Sequence, residues 1–259
     1  MGDQFEPVLR LENISVSYSG GKDYAAQSVS FSVPKGSAFV LLGSSGSGKS
    51  TVLKTINRLV PVTEGNIYLY GQNAREVGDL QLRRMMGYVN QGISLYPFLN
   101  VWENIALPLR VTGVSRRERW KRALEMLDLM ELPRTFASRM VTELSGGQQQ
   151  RVGVGRALVS GSKIILMDEP FSALDQITRE TLQDQVNELK RQLGVTLLFV
   201  THDLFEALKI ADILGVMHQG HLEQHGLPKE LLRNPKTDFV RDLIKRPYEQ
   251  MKYFLDDSQ

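Results

Sequence analysis

The stretch that decides the fold is residues 38–50, AFVLLGSSGSGKS. Its five apolar residues, 38–42, predict a buried strand, and the glycine-rich turn after them predicts a loop that opens the helix Thr51–Leu59. A turn of this kind aims backbone N–H groups and the positive end of the helix dipole at one point. We therefore expect the loop to hold an anion, and the flanking strand and helix argue against the alternative, a glycine-rich linker.

The spacing G-x-x-x-x-G-K-[ST] predicts the kind of anion. Glycines let the backbone approach phosphate oxygens, Lys49 reaches the β and γ groups, and the Ser50 hydroxyl is a ligand for magnesium. The motif therefore indicates a nucleoside triphosphate. The predicted binding residues are Gly43, Ser44, Ser45, Gly46, Ser47, Gly48, Lys49, Ser50 and Thr51.

Composition narrows the class of protein. The chain has 259 residues and no cysteine, which excludes disulfides. Its formal charge is only +2, so it lacks the strong positive field that attracts nucleic acid nonspecifically. The acidic N-terminal stretch lacks the apolar core of a secretory signal. Apolar runs such as Ile164–Met167 are far shorter than the ~20 residues that cross a bilayer. If the protein works at a membrane, we expect a partner to supply the crossing.

Short strands and helices alternate along the chain, which predicts an α/β fold with a mostly parallel sheet covered by helices. Residues from about Ile93 to Val159 instead read as consecutive helices, so an α-helical insert is expected there. The predicted strands are Val8–Val16, Ser28–Val33, 38–42, Asn66–Tyr70, 87–91, Lys163–Asp168 and Val195–Thr201. The predicted helices are Thr51–Leu59, Val101–Leu109, Arg116–Met130, Gly146–Val159, Asp175–Leu193 and Leu204–Ala211, followed by a hairpin, 213–225, and a helical tail.

Two acidic residues, Asp168 and Glu169, end a predicted buried strand. Ligands of open α/β sheets bind at that edge, where an aspartate can hold the magnesium shell and a glutamate can polarise a water for attack on a γ-phosphate. The alternative is that both acids cap the next helix, which the phosphate loop makes the weaker interpretation.

The segment Leu144–Gln148, LSGGQ, opens another predicted helix. Its serine and glycines at a helix N-terminus repeat the anion-binding arrangement of the first loop. Because one domain has little use for two phosphate sites, we expect two chains to share each nucleotide.

These motifs and their order resemble the ATP-binding-cassette (ABC) ATPases, whose own motif is LSGGQ. The resemblance covers nearly the whole chain and implies a single nucleotide-binding domain, 1–259, with a P-loop NTPase fold. The RecA-like core, with its mostly parallel sheet and an N-terminal antiparallel β subdomain, would occupy about 1–92 and 160–226. An inserted α-helical subdomain would occupy about 93–159, and a short helical tail would occupy 227–259. ATP and Mg²⁺ are the implied ligands.

The resemblance also implies roles for individual residues. Tyr18 is similar to the aromatic that stacks on adenine, and Asp175 lies in a loop similar to the one that contacts the opposing subunit. Taken alone, Tyr18 reads as an ordinary strand tyrosine, Asp175 as a helix N-cap and His202 as structural. The implied catalytic residues are Glu169, His202 and Gln91. The implied Mg²⁺ ligands are Ser50, Gln91 and Asp168. The residues implied to bind ATP in trans are Ser145, Gly146, Gly147 and Gln148.

The resemblance further implies a head-to-tail dimer of the chain. Its other implied partners are transmembrane permease subunits at the cytoplasmic face of the plasma (inner) membrane and, indirectly, a substrate-binding protein, with no nucleic acid. The stretches 88–106, 145–158 and 168–182 look most like the osmoprotectant or quaternary-amine importers, although Phe98, Ser172 and Gln176 depart from that group. The alternatives are an amino-acid importer, a lipid or lipoprotein exporter, and a non-transport ABC protein that acts on DNA or the ribosome.

Two other stretches carry no predicted site. His218, His221 and His225 lie in a polar hairpin without cysteine or a matching acid cluster, which argues against a metal site. The basic residues of Arg116–Arg122 are spread around a predicted helix, so we expect them to form a solvated face.

Overall fold

The computed structural model describes residues 7–92 and 94–247. The chain forms two compact units. The first unit consists of Met1–Asp79 and Thr196–Gln259, and the second of Leu80–Val195. Within the described residues, no helix is both long enough and apolar enough to cross a membrane.

The first unit contains an antiparallel sheet in which apolar side chains alternate with polar ones. Its strands are β1 (Leu9–Ser17), β2 (Tyr24–Val33), β4 (Glu64–Leu69) and β5 (Gln72–Asn73), arranged in the order β2-β1-β4-β5. At the start of β1, the buried Leu9 and Leu11 alternate with the half-buried Arg10 and Glu12. This period of two is what a sheet with one covered face requires.

The second sheet of the first unit is built around β3 (Ala38–Leu42), which pairs in parallel with β8 (Thr196–Thr201) and β9 (Ile213–His218). All five residues of β3 are buried, because a parallel strand flanked by helices has no solvent face. Strand β10 (His221–Gly226) returns antiparallel to β9. The helices of this unit are α1 (Lys49–Ile56), α7 (Leu204–Ile210) and α8 (Pro228–Arg233), with short turns at Asp238–Val240 and Arg241–Lys245.

The second unit combines a parallel strand pair with most of the helices. The pair is β6 (Met86–Val89) with β7 (Ile164–Asp168). Its helices are α2 (Asp79–Arg84), which begins at the boundary, α3 (Val101–Val111), α4 (Arg116–Leu129), α5 (Gly146–Leu158) and α6 (Gln176–Leu193). Helices α3, α4 and α5 pack together at Gly155, where an added Cβ would lie 3.3 Å from Met130 Cγ.

The structure confirms the predicted fold class, with its mostly parallel strands, antiparallel N-terminal sheet and inserted helices. Some boundaries were wrong. The helix predicted at Thr51–Leu59 is Lys49–Ile56, because the left-handed Gly48 turns the chain directly into the helix. Strand β2 begins at Tyr24, four residues before its predicted start, and the short elements β5 and α2 were not predicted. The predicted subdomain boundaries stay a prediction.

Candidate functional site

The predicted phosphate loop, residues 43–48, joins β3 to α1 within the first unit. Gly46 and Gly48 have φ of 78° and 97°, in the left-handed region that favours glycine. A Cβ on Gly48 would lie 2.2 Å from Ala25 O, and a Cβ on Gly43 would lie 2.3 Å from Met217 O. The neighbouring backbones therefore hold the loop closely and leave no room for side chains at these positions.

Lys49 closes the loop on itself. Its side chain is buried, at 3% exposure, and its ammonium donates to Gly43 O at 2.9 Å and Ser44 O at 2.8 Å. A positive charge is thus held by two backbone carbonyl oxygens of the loop, at the N-terminus of α1. This arrangement provides donors and charge for an anion with several oxygens.

The tip of the β9–β10 hairpin supports the phosphate loop from outside. Gln219 and Gly220 both have positive φ, 45° and 83°, as in a tight two-residue turn. The Gly220 amide donates to Ser47 O at 3.1 Å, and its carbonyl accepts from the Gln27 amide at 2.8 Å. This support was not predicted, because hydrogen bonds between residues as far apart in sequence as 27, 47 and 220 leave no short-range signal.

Two further predicted residues lie in the same unit. Leu42 is opposite Thr201 in the parallel pair β3–β8, so His202, which is exposed, follows at the edge where the loop begins. The Tyr18 ring is 68% exposed, and its hydroxyl lies 3.4 Å from Thr51 Oγ1 at the start of α1. The unit therefore brings the exposed Tyr18 ring to the start of α1, and His202 to the edge of the sheet where the loop begins.

In the second unit, β7 delivers Asp168 to the end of its strand at 0% exposure. The Tyr88 hydroxyl donates to Asp168 Oδ2 at 3.5 Å. Burial, together with the negative charge and hydrogen bond of Asp168, raises the pKa of Tyr88. Tyr88 therefore stays protonated as a donor to the buried carboxylate, a contact that strand periodicity does not predict.

Glu169 follows directly and contacts another predicted residue. Its Oε2 accepts a hydrogen bond from Gln91 Nε2 at 3.3 Å. Its φ is +43°, uncommon for a residue with a side chain, and such strain concentrates at functional sites. The Ser172 hydroxyl donates to Glu169 O at 3.1 Å and secures this turn.

The LSGGQ segment forms the N-terminus of α5. Ser145 Oγ accepts from the Gln148 amide at 3.4 Å, and Gln148 Oε1 accepts from the Ser145 amide at 3.0 Å, which makes a capping box. Ser145 and Gly146 are exposed. Gly147 faces its own chain, since an added Cβ would lie 2.4 Å from Thr178 Cγ2 on α6.

Asp175 is the N-cap of α6. Its Oδ1 accepts from the Thr178 amide at 3.0 Å, and this hydrogen bond lowers the pKa of the Asp175 carboxyl. The N-cap interpretation of the sequence is therefore correct, and its side chain remains exposed. Among the described residues there is no group of three or more histidine and acidic side chains that could hold a metal ion. The expectation that His218, His221 and His225 form no metal site stays a prediction.

The chain matches the family model described as ABC transporter over residues 26–172. Carnitine transport ATP-binding protein OpuCA of Listeria monocytogenes is 44% identical over 92% of this chain and 59% of its own length. Glycine betaine uptake system ATP-binding protein YehX of Escherichia coli is 43% identical over 91% of this chain and 77% of its own length. The chain thus spans about three-fifths of the first of these relatives.

Solved structures agree in fold. A dimeric bacterial ABC transporter cassette, MJ0796, has a TM-score of 0.76 and 36% identity, covering 85% of this chain and 98% of its own. The same cassette in a post-hydrolysis state bound to ADP and Pi has a TM-score of 0.75. CbiO1 from Clostridium perfringens is 24% identical and shares the fold with a TM-score of 0.81. On the matched family model and these relatives, this chain belongs to the ABC transporter family.

Proposed function

We propose that this chain is the ATP-binding and ATP-hydrolysing subunit of an importer for small quaternary-amine solutes. The observation that carries the proposal is the closed phosphate loop, in which the buried Lys49 ammonium contacts Gly43 O and Ser44 O. The names of OpuCA and YehX support the solute class, since they refer to carnitine and glycine betaine.

We assign ATP binding to the first unit, an assignment that the geometry of its loop and the family support. The exposed Tyr18 ring stacks on adenine, and the loop residues 43–51 hold the phosphates. His202 hydrogen-bonds the γ-phosphate. MJ0796 is described as bound to ADP and Pi, which supports the same ligand class for this loop.

Hydrolysis is assigned to Glu169 as general base and to Gln91 as the residue that positions the carboxylate and the attacking water. The donor set proposed for Mg²⁺ consists of the Ser50 hydroxyl, the Gln91 side-chain carbonyl and the buried Asp168 carboxylate. Oxygen donors of this kind suit a hard divalent cation, and a buried carboxylate is stabilised by a positive counter-charge. Mg²⁺ would neutralise charge on the phosphates while Glu169 accepts a proton from water.

A second copy of the chain is the proposed partner for the LSGGQ segment. Ser145 and Gly146 are exposed at the N-terminus of α5, and the positive end of a helix dipole favours an anion there. Gly147 and Gln148 complete the segment that binds ATP in trans, and Asp175 contacts the opposing subunit. MJ0796 is described as dimeric, which supports this assembly.

The remaining partners follow from the family rather than from the geometry. We place the chain at the cytoplasmic face of the plasma (inner) membrane, bound to separate permease subunits and served by a substrate-binding protein. Nucleic acid is not a proposed partner.

Uptake of labelled glycine betaine, carnitine and choline tests the proposal, in cells that carry the chain together with its permease subunits. We expect uptake with the wild-type chain and none with Lys49→Ala, whose loss of triphosphate binding is checked by calorimetry. Uptake of these solutes that is the same with both chains, or absent with both, would contradict the proposed function. Glu125→Gln, a change on the exposed surface of α4, is the control for expression.

A further inference from the structure

A polar cavity of about 260 Å³ lies in the second unit, lined by Leu99 and by residues of α3 and α4. Its charged lining residues are Arg110, Arg116, Arg119 and Glu103. None of them has a role in the proposed reaction. The lining of the cavity has three positive charges and one negative charge, which gives a net charge of about +2.

The single carboxylate of this lining already has a structural task. Glu103 is the N3 residue of a capping box, and its Oε2 accepts from the Asn100 amide at 3.2 Å. Other arginines of the same unit do have carboxylate partners, such as Arg122 with Glu118 at 2.8 Å. Within residues 7–92 and 94–247, Arg110, Arg116 and Arg119 make no such ion pair.

Arg119 is the residue that departs from the solvated face expected from the sequence. Its Nε is fully shielded from solvent and has no hydrogen-bond acceptor among the described residues. A buried charged donor without an acceptor is costly, so such donors normally have partners. A ligand in the cavity cannot reach this shielded atom, so Arg119 contributes to the site only as one of the three arginine side chains that line it.

A neighbouring aromatic ring orients a second guanidinium. Arg116 Cζ lies 5.8 Å from the centre of the Trp102 ring, and Trp102 packs edge-to-face on Trp120 at 5.3 Å. This contact favours a position of the Arg116 guanidinium beside the cavity over free rotation in solvent. The side chains of Arg110, Arg116 and Arg119 thus all line one space of small-ligand size.

We propose that this cavity binds a small phosphate-type dianion. Guanidinium groups match phosphate oxygens with paired hydrogen bonds, and a phosphate monoester carries about two negative charges at neutral pH. Two charges would balance the net charge of the lining, whereas a single carboxylate would not. The volume accommodates a phosphate group and is too small for a second nucleotide. The phosphate group comes either from a free phosphate compound or from a phosphomonoester lipid headgroup.

Calorimetric titration with inorganic phosphate tests the site. The full chain is first saturated with a non-hydrolysable ATP analogue at constant ionic strength, so that the phosphate loop does not contribute. We expect saturable binding that weakens at least tenfold in Arg119→Gln. Arg117→Gln is the matched control, because Arg117 is exposed on the same helix and does not line the cavity. Basal ATP hydrolysis is expected to be unchanged in both variants.

A second variant and a vesicle assay keep the test decisive. Arg116→Gln changes an exposed residue, so it should weaken phosphate binding even if Arg119→Gln reduces stability in thermal unfolding. Vesicles of phosphatidylcholine with phosphatidate are compared with vesicles of equal charge that contain phosphatidylglycerol. Phosphatidate-selective binding that requires Arg119 and Arg116 supports the lipid source, and free-phosphate binding alone supports the soluble source. Absence of both, or binding equal in wild type and both lining variants, overturns the proposal.

Discussion

The side-chain amide of Gln91 donates a hydrogen bond to the Glu169 carboxylate at 3.3 Å. The two residues follow neighbouring parallel strands, because Val89 of β6 is opposite Met167 of β7. Strand register therefore brings together two side chains that are 78 positions apart in sequence. The hydrogen bond from Gln91 therefore orients the Glu169 carboxylate before any substrate binds. A fixed orientation favours a group that must accept a proton from one direction.

Glu169→Gln should separate binding from hydrolysis. The new amide still accepts a hydrogen bond from Gln91 through its oxygen, but it cannot take a proton from water. We expect the rate of phosphate release to fall by about 100-fold or more, while the affinity for ATP stays within about twofold.

Steady-state phosphate release and equilibrium nucleotide binding measure the two quantities for this variant. Glu125→Gln makes the same chemical change on an exposed surface of α4 and should hydrolyse ATP at the wild-type rate. Wild-type hydrolysis by Glu169→Gln would show that the carboxylate does not act as the base.

Tyr18 should contribute to ATP affinity through its ring rather than its hydroxyl. The ring is 68% exposed, whereas the hydroxyl lies at the long distance of 3.4 Å from Thr51 Oγ1. Because stacking on a base contributes roughly 1–3 kcal/mol, Tyr18→Ala should weaken ATP binding about tenfold, and Tyr18→Phe should leave it nearly unchanged.

Binding of inorganic tripolyphosphate provides the internal control for Tyr18. It contains no base, so its affinity should be the same in wild type and Tyr18→Ala. An equal loss for ATP and tripolyphosphate would mean that the substitution disturbs the phosphate loop instead.

Two glycines of the second unit should respond oppositely to alanine. A Cβ on Gly87 would lie 2.3 Å from Ala157 O, a backbone atom that cannot move alone. Gly87→Ala should therefore lower the free energy of unfolding by about 1–3 kcal/mol. Gly153 lies within α5 with nothing within 4 Å of an added Cβ, so Gly153→Ala should raise it by up to about 1 kcal/mol.

Urea unfolding followed by circular dichroism checks both glycine variants against wild type. Gly153→Ala is the matched control, because it adds the same methyl group in the same unit. A stabilised Gly87→Ala would show that β6 and α5 are farther apart than the structure places them.

The Asp175 cap should make α6 sensitive to acid. Its folded-state pKa is lowered by the hydrogen bond from the Thr178 amide, so the ionised form stabilises the folded chain. That contribution is fully present above the ordinary aspartate pKa, about 4, and is lost as the pH falls through the lower folded-state value.

Asp175→Asn isolates this effect, since asparagine is an equally good N-cap without a titrating proton. Near neutral pH, without nucleotide, the thermal midpoint of Asp175→Asn should be close to that of wild type. Below about pH 4 the thermal midpoint of the wild type should fall further than that of the variant. Parallel curves for the two proteins would contradict the assignment.

Local sequence patterns were sufficient to predict the loop between β3 and α1 and the buried strand that ends at Asp168. The strand before Gly43, the loop and the helix after it are neighbours in sequence, and the apolar run before Asp168 is as well. Long-range contacts could not be predicted in this way. The Tyr88–Asp168 hydrogen bond and the Gly220–Ser47 contact depend on which strands become neighbours, and the sequence pattern alone does not specify that.

Short elements were missed for a different reason. Strand β5 has two residues and α2 has six, so neither is long enough to show a hydrophobic period. The unpartnered Nε of Arg119 was also not predictable, because the helical pattern around it places charged residues on several faces.

Thr178 on α6 leaves no room for a side chain at Gly147 of the LSGGQ segment. The 2.4 Å approach of an added Cβ to Thr178 Cγ2 means that Gly147→Ala creates a steric conflict within the monomer, whatever a second chain does. Inactivity of that variant therefore does not by itself report on subunit association. Combining it with Thr178→Ser, which deletes the clashing methyl, separates the intramolecular defect from the intermolecular one.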